Sequence, residues 1–223
     1  MRKTLLTATA SLALLAGLAQ PSHASLILSI SDGSSTQTVT DPGNTGMATF
    51  NNAIGIFTTN VVTALATPLI GSVFQPIIDL NSIDVASRGS SGGILTIKET
   101  DTGLSGSCVL TWFLNSIGGT LNNGSMSIKT YLDCSNAAFG QGTLLTSQSF
   151  SSGAFSGTAS SDAACGGTYS ITQVEAIDLS AGGFYSGDST LAVPEPSTLA
   201  SFGAGLAFLF GFGWLRRRHG TMV

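Results

Sequence analysis

Ser125-Met126-Ser127-Ile128-Lys129-Thr130-Tyr131-Leu132 is the stretch on which the fold turns. Met126, Ile128 and Leu132 fall on one face of an extended chain, and Ser127, Lys129 and Tyr131 on the other. This period-two pattern is that of a half-buried strand. The same alternation begins at Leu26, Leu28 and Ile30, and it resumes in Tyr169-Ser170-Ile171-Thr172 before breaking near Gln173, where a bulge is expected. Cys108 to Leu114 is a denser apolar run that suits a central strand, with Trp112 as its expected core anchor. Turn residues separate these pieces: Asp41-Pro42-Gly43, Gly92-Gly93, Asp101-Thr102-Gly103, Asn122-Asn123-Gly124 and Gly166-Gly167. Asn123-Gly124, between alternating segments, is the strongest hairpin signal. Only Asn51 to Thr67 hints at a helix, against its β-branched content. Short strands with frequent glycine turns predict an all-β fold, a sandwich with the jelly roll as its candidate topology. No repeat at a fixed period is visible, which argues against a solenoid.

Both ends of the chain differ from this middle. Arg2 and Lys3 precede an apolar run from Leu5 to Leu18, and Ser22-His23-Ala24 places small side chains at −3 and −1 of a cleavage point between Ala24 and Ser25. These are the parts of a secretory signal peptide. At the other end, Val193-Pro194-Glu195-Pro196 leads into an apolar run from Leu199 to Leu215, which stops at Arg216-Arg217-Arg218. As a helix rising ~1.5 Å per residue the run covers roughly 25 Å, close to the ~30 Å hydrocarbon core of a bilayer. It is expected to be one C-terminal transmembrane helix, with the arginines as a cytoplasmic membrane stop. Pro194 and Pro196 hold Glu195 extended, since each proline fixes its own φ and disfavours helix in the residue before it.

The tripeptide Pro194-Glu195-Pro196, the span and the basic stop together resemble the PEP-CTERM sorting signal of Gram-negative bacteria. The resemblance implies that an exosortase, a membrane-embedded cysteine protease-transpeptidase, recognises and processes the tail at the inner membrane. It also implies cargo that accompanies exopolysaccharide or biofilm formation, and related tails occur on some ice-binding proteins. The segments Ile78-Asp79-Leu80-Asn81-Ser82-Ile83 and Tyr131-Leu132-Asp133-Cys134-Ser135-Asn136 are loosely similar to the β-sandwich ectodomains of such proteins. The expected organisation is a signal peptide at 1–24, an exported β-rich domain at 25–192, and a sorting tail at 193–219 with its span at 199–215.

Charge and residue types narrow the function. Between Ser25 and Val193 only Arg88, Lys98 and Lys129 are basic, against eleven acidic residues, which leaves −8. Nucleic-acid binding is disfavoured, because phosphates need Lys and Arg. Both histidines, His23 and His219, lie in the terminal signals. An imidazole-dependent nucleophile is therefore excluded from the exported domain, and no paired-Cys or phosphate-loop spacing points to a metal or nucleotide. No catalytic residue, metal ligand or cofactor is expected. Glycoside hydrolysis needs only two carboxylates, so Asp79, Asp84, Glu99, Asp101, Asp133 and Glu175 remain eligible by type, although acids at strand ends are ordinarily solvated.

Three cysteines, Cys108, Cys134 and Cys165, lie in an oxidising setting outside the inner membrane. Cys134 and Cys165 sit beside turn residues and are the expected disulfide, with Cys108 a buried thiol. Thr36-x-Thr38-x-Thr40 places three hydroxyls on one strand face about 7 Å apart, an array that ice binding would use and that more often is a plain exposed face. Asp41-Pro42-Gly43-Asn44 and Asp101-Thr102-Gly103 could supply calcium oxygens, but read better as side-chain-capped turns. The expected function is a non-enzymatic, secreted, tail-sorted surface or matrix protein associated with exopolysaccharide. The alternative is a ligand-binding module for carbohydrate, calcium or ice.

Overall fold

The computed structural model describes residues 24–60, 62–88, 90–107 and 110–194. These form strands and no helix: β1 (Ser25–Ser31), β2 (Thr36–Thr40), β3 (Met47–Phe50), β4 (Ala53–Ile54), β5 (Phe57–Thr59), β6 (Val62–Leu65), β7 (Gly71–Ser72), β8 (Gln75–Ser87), β9 (Gly93–Ser107), β10 (Thr111–Asp133), β11 (Thr143–Ala163) and β12 (Gly166–Ala192). All pairings are antiparallel, and the main path runs β2-β1-β9-β12-β8-β5-β4. The three long strands make the sheet fold over on itself. The first part of β12, Gly166–Leu179, pairs with β9, whereas its second part, Phe184–Ala192, pairs with β8. β10 and β11 follow both parts and change register at Asn122–Gly124 and around Ser152.

The two halves of the folded sheet pack face to face as a sandwich. Leu26, Leu28, Ile97, Ile128, Ile171 and Ile177 project inward from one half, and Ile78, Leu80, Ile83, Phe113 and Leu191 from the other; all are buried. Phe150 and Phe155, on either side of the β11 bend, stack at 4.4 Å across the fold. Burying so many aliphatic side chains, at ~1.5–3 kcal/mol each, is the main favourable term. The alternation of Met126, Ile128 and Leu132 inward with Ser127, Lys129 and Tyr131 outward is as the sequence predicts, as is the buried row Leu26, Leu28 and Ile30.

Several local expectations are corrected. Asn123-Gly124 does not close a hairpin but forms a bulge inside β10, because the segments on both sides keep the same partners, β11 and β12. Asn123 takes φ 59° and donates its side-chain N–H to the Ala181 carbonyl, while a Cβ on Gly124 would lie 2.3 Å from the Asp178 carbonyl. The bend needs that pair of residues for the reasons a turn would. Asp101-Thr102-Gly103 likewise sits within β9, and Gly103 has φ 76°. The irregularity expected near Gln173 falls instead between Tyr169 and Ile171. Asn51 to Thr67 contains β4, β5 and β6, since Val62, Ala64 and Ala66 alternate into the core. Several strands are long rather than short, with β12 at 27 residues. Trp112 is 49% exposed, because β10 directs Phe113 inward and a one-residue change of register reverses the face.

The signal-peptide residues before Ala24, the thiol of Cys108, Glu195, Pro196, the span 199–215 and Arg216 to Arg218 lie outside the described residues. Among the described residues no helix is long and apolar enough to cross a membrane.

Candidate functional site

Inside the sandwich the two halves are joined by a polar seam. Gln148 Nε2 donates to Asn115 Oδ1 at 2.7 Å, and Asn115 Nδ2 donates to Gln173 Oε1 at 3.4 Å. Gln173 Nε2 donates to Ser189 Oγ at 2.6 Å, Ser189 Oγ donates to Glu175 Oε1, and the Tyr185 hydroxyl donates to Glu175 Oε2 at 3.3 Å. Gly187 makes room for this: a Cβ there would lie 2.7 Å from the Tyr185 hydroxyl and 2.8 Å from the Gly118 carbonyl. Burial raises the Glu175 carboxyl to about 7, against the lowering effect of Ser189 and Tyr185.

Two more acids are buried in the same core. Glu99 is pushed well above the usual carboxylate range, first by burial and then by the charges of Asp79, Asp101 and Glu175. Burial raises Asp101 to about 7, partly offset by Thr67, yet neither the Thr67 hydroxyl nor the carboxylate oxygens of Glu99 and Asp101 complete a hydrogen bond. Tyr169 rises to about 12 through burial and the neighbouring Asp101. The expectation that these carboxylates would be scattered and solvated is therefore wrong for Glu99, Asp101 and Glu175, whose strand positions face the core. Buried beneath the sheet, they are unavailable to a substrate outside it. The seam is structural: its polar groups are satisfied across the bend, while the acids beside it stay protonated over most of the acidic range.

The outer face of the β11-β10-β12-β8 half is the candidate ligand surface. Register sets Ser116 beside Thr158 and Thr190, Gly118 beside Ser156 and Asp188, and Thr120 beside Ser186. Asp84 continues the row from Ser186, and Asp79 accepts a 2.8 Å hydrogen bond from Thr190 Oγ1. Trp112, opposite Asp162, stands at one end and the exposed Phe184 at the other. Gly118 has only the Phe155 carbonyl, at 3.8 Å, near its would-be Cβ, so the middle of the face is low. Two open depressions of about 480 and 500 Å³ lie there, lined by Ser116, Ser156 and Thr158 in one, Asp84 and Thr120 in the other, and Asp188 in both. No Lys or Arg occurs in the parts of these strands that form this half, β10 111–122, β11 154–163, β12 184–192 and β8 75–87; Lys129, on the outward row of β10, belongs to the other half. Sequence alternation did not single out Asp188, Ser116 or Phe184; the outward period-two rows of β10 and β12 were the available signal.

The remaining expected residues are placed as follows. Cys134 and Cys165 are joined, Cα–Cα 5.4 Å, tying the loop after β10 to the start of β12. Asn136 of that loop accepts from the Gly103 N–H at 2.8 Å, and its Ala137 carbonyl accepts from Ser170 Oγ at 2.8 Å. Asp41 accepts from the N–H groups of Gly46 and Gly43 and from Thr45 Oγ1, so its oxygens cap a turn. Thr36, Thr38 and Thr40 are exposed on the five-residue β2. Among the described residues no group of three or more His, Cys, Asp or Glu is placed to hold a metal ion. Ala24 is buried and Ser25 opens β1. Val193 is buried and donates its N–H to the Pro76 carbonyl at 3.0 Å, so ordered structure reaches the start of the tail motif.

The exported part of the chain is an all-β sandwich. Residues 192–218 match the PEP-CTERM protein-sorting motif. The chain is thus a PEP-CTERM-bearing precursor, exported, membrane-anchored and sorted to the cell surface, whose motif implies an exosortase-type processing enzyme. No curated protein matches it in sequence. Among solved structures it is similar to TmCBM61 in complex with beta-1,4-galactotriose, at 9% identity and TM-score 0.33, covering 52% of this chain and 80% of that one. It is also similar to the K1 cleaved adhesin domain of Lys-gingipain from Porphyromonas gingivalis W83, at 14% identity and TM-score 0.33, covering 74% and 89%. The PA14 domain of the MpAFP antifreeze protein gives 11% identity and TM-score 0.33, covering 78% and 84%. At these scores the likenesses carry no functional information.

Proposed function

We propose that this is a non-enzymatic cell-surface or matrix protein whose outer β11-β10-β12-β8 face holds neutral exopolysaccharide. The observation that carries the reading is the character of that face: an open floor of Ser, Thr and Asp flanked by the exposed rings of Trp112 and Phe184. Hydroxyl and carboxylate oxygens can accept and exchange hydrogen bonds with sugar hydroxyls, and an aromatic ring offers an apolar platform to the C–H face of a sugar. Four aspartates and no base on the face would repel a polyanion, so a neutral glycan fits better. Low, open depressions suit a long chain lying across the sheet more than a small ligand, which favours enclosed pockets.

The non-enzymatic part rests on the fate of the acids. Glu99, Asp101 and Glu175 are inside the core, and Asp133 is taken up by the Ser135 N–H and hydroxyl. Asp84 and Asp188 share an open depression without walls to exclude water, a poor setting for glycosidic cleavage. A glycan array and the native exopolysaccharide, offered to residues 24–193, test the reading. Trp112→Ala is expected to weaken binding roughly tenfold, the equivalent of about 1.4 kcal/mol, with no loss of melting temperature. Absence of sugar binding, or binding indifferent to Trp112, Phe184 and Asp188 substitutions, rejects the glycan face and leaves a purely structural matrix role. Depolymerisation of the polysaccharide, abolished by Asp84→Asn or Asp188→Asn, would instead make the protein an enzyme.

A further inference from the structure

The long strand β11 is an edge, and it is unguarded. Among the described residues it pairs only with β10, so alternate main-chain N–H and C=O groups along its 21 residues point away from the sheet. Natural sheets blunt such edges with charge, proline, shortness or bulges, because an open row of donors and acceptors is a template for another strand. The opposite edge obeys this rule: β2 has five residues and is flanked by Asp32 on one side and Asp41-Pro42 on the other. By contrast, β11 has no charged residue and no proline from Thr143 to Ser161. It is interrupted by a bulge at Leu145 and by the bend at Gly153, φ 128°, beyond which Ala154 to Ala163 run in unbroken register with β10. The inward row of this run, Phe155, Gly157, Ala159 and Ser161, is only half-buried, so the sandwich is left partly open along this edge.

We propose that the edge of β11 from Ala154 to Ala163 pairs antiparallel with the same strand of a second copy of this chain. Self-pairing is the fit that the residues favour. The exported domain carries −8 overall, yet a two-fold axis at Thr158 sets Ser156 opposite Ser160 and Asp162 opposite Ala154, so no like charges meet. The outward side chains Ala154, Ser156, Thr158 and Ser160 are small enough to let two main chains approach at the ~4.8 Å strand spacing. Each copy covers the half-open inward row of the other, and the two outer faces join into one hydroxyl-rich surface. The contact is isologous and closes as a dimer.

The test uses residues 24–193, which contain every core residue among those described. Sedimentation velocity of the wild type should give twice the monomer mass at high concentration and dissociation on dilution. In S156K/S160K each new lysine faces its mate across the two-fold, so the dimer should be lost while the melting temperature is unchanged. Thr38→Lys, on the β2 edge, should leave the dimer intact. A monomeric wild type, or a double variant that still dimerises, overturns the proposal. Should the double variant melt early, hydrogen exchange of the wild type decides. Slower exchange in β11 at high concentration than at low supports the pairing, and exchange independent of concentration refutes it.

Discussion

Raising the pH from 5 to 8 should destabilise the exported domain, the opposite of what carboxylates usually do. Asp101 and Glu175 have folded pKa values of about 7 because burial disfavours their charged forms, against ordinary values of 3.8 and 4.5, and Glu99 is raised further in the same direction. Between the unfolded and folded values the native state holds protons that the unfolded chain has released. Unfolding free energy therefore falls as pH rises through that window, and the stability is fully present only below it. For Glu175 the rise from 4.5 to about 7 corresponds to about 3 kcal/mol. That is a substantial part of the ~5–15 kcal/mol of a whole domain. Glu175→Gln, an isostere of the protonated acid, keeps partners within reach of Ser189 and Tyr185 and cannot ionise. At pH 8 it should raise the melting temperature by roughly 6–12 °C, and at pH 5 it should change little. Asp41, where burial raises the pKa but the turn hydrogen bonds together outweigh it and leave the group lowered, works the other way, but only below this window. Urea and thermal unfolding of residues 24–193 at pH 5, 6, 7 and 8, wild type and variant, provide the assay. A wild type as stable at pH 8 as at pH 5, or a variant whose pH profile parallels the wild type, would refute the account of the core carboxyls.

Replacing Pro194, Glu195 and Pro196 together by alanine should leave the precursor unprocessed in the inner membrane fraction; normal processing would show that hydrophobicity alone directs sorting. Cys165→Ser opens a loop with sequence separation 31, and the lost constraint on the unfolded chain should cost about 3–4 kcal/mol by denaturant titration. Gly187→Ala forces a methyl towards the Tyr185 hydroxyl and the Gly118 carbonyl; an expected loss of about 1–3 kcal/mol is checked by melting, and a neutral result would mean the strands can separate there without penalty.

The sequence by itself determined what depends on neighbours along the chain. Alternation in Ser125 to Leu132 placed Met126, Ile128 and Leu132 in the core because strand periodicity is local. The Pro194-Glu195-Pro196 motif was legible because sorting is read from a linear segment. Tertiary structure alone decided what the local signals leave degenerate. Asn123-Gly124 supplies a left-handed residue and a close approach, which serve a hairpin or a bulge equally; pairing with β11 and β12 on both sides made it a bulge. Trp112 and Phe113 are both strong core candidates, and only the register of β10 against its partners sent one inward and the other to solvent. Glu99, Asp101 and Glu175 looked like surface acids because a residue type carries no record of which sheet half will cover it. Their burial, and with it the reversed pH dependence, exists only because three long strands bend and bring distant segments face to face.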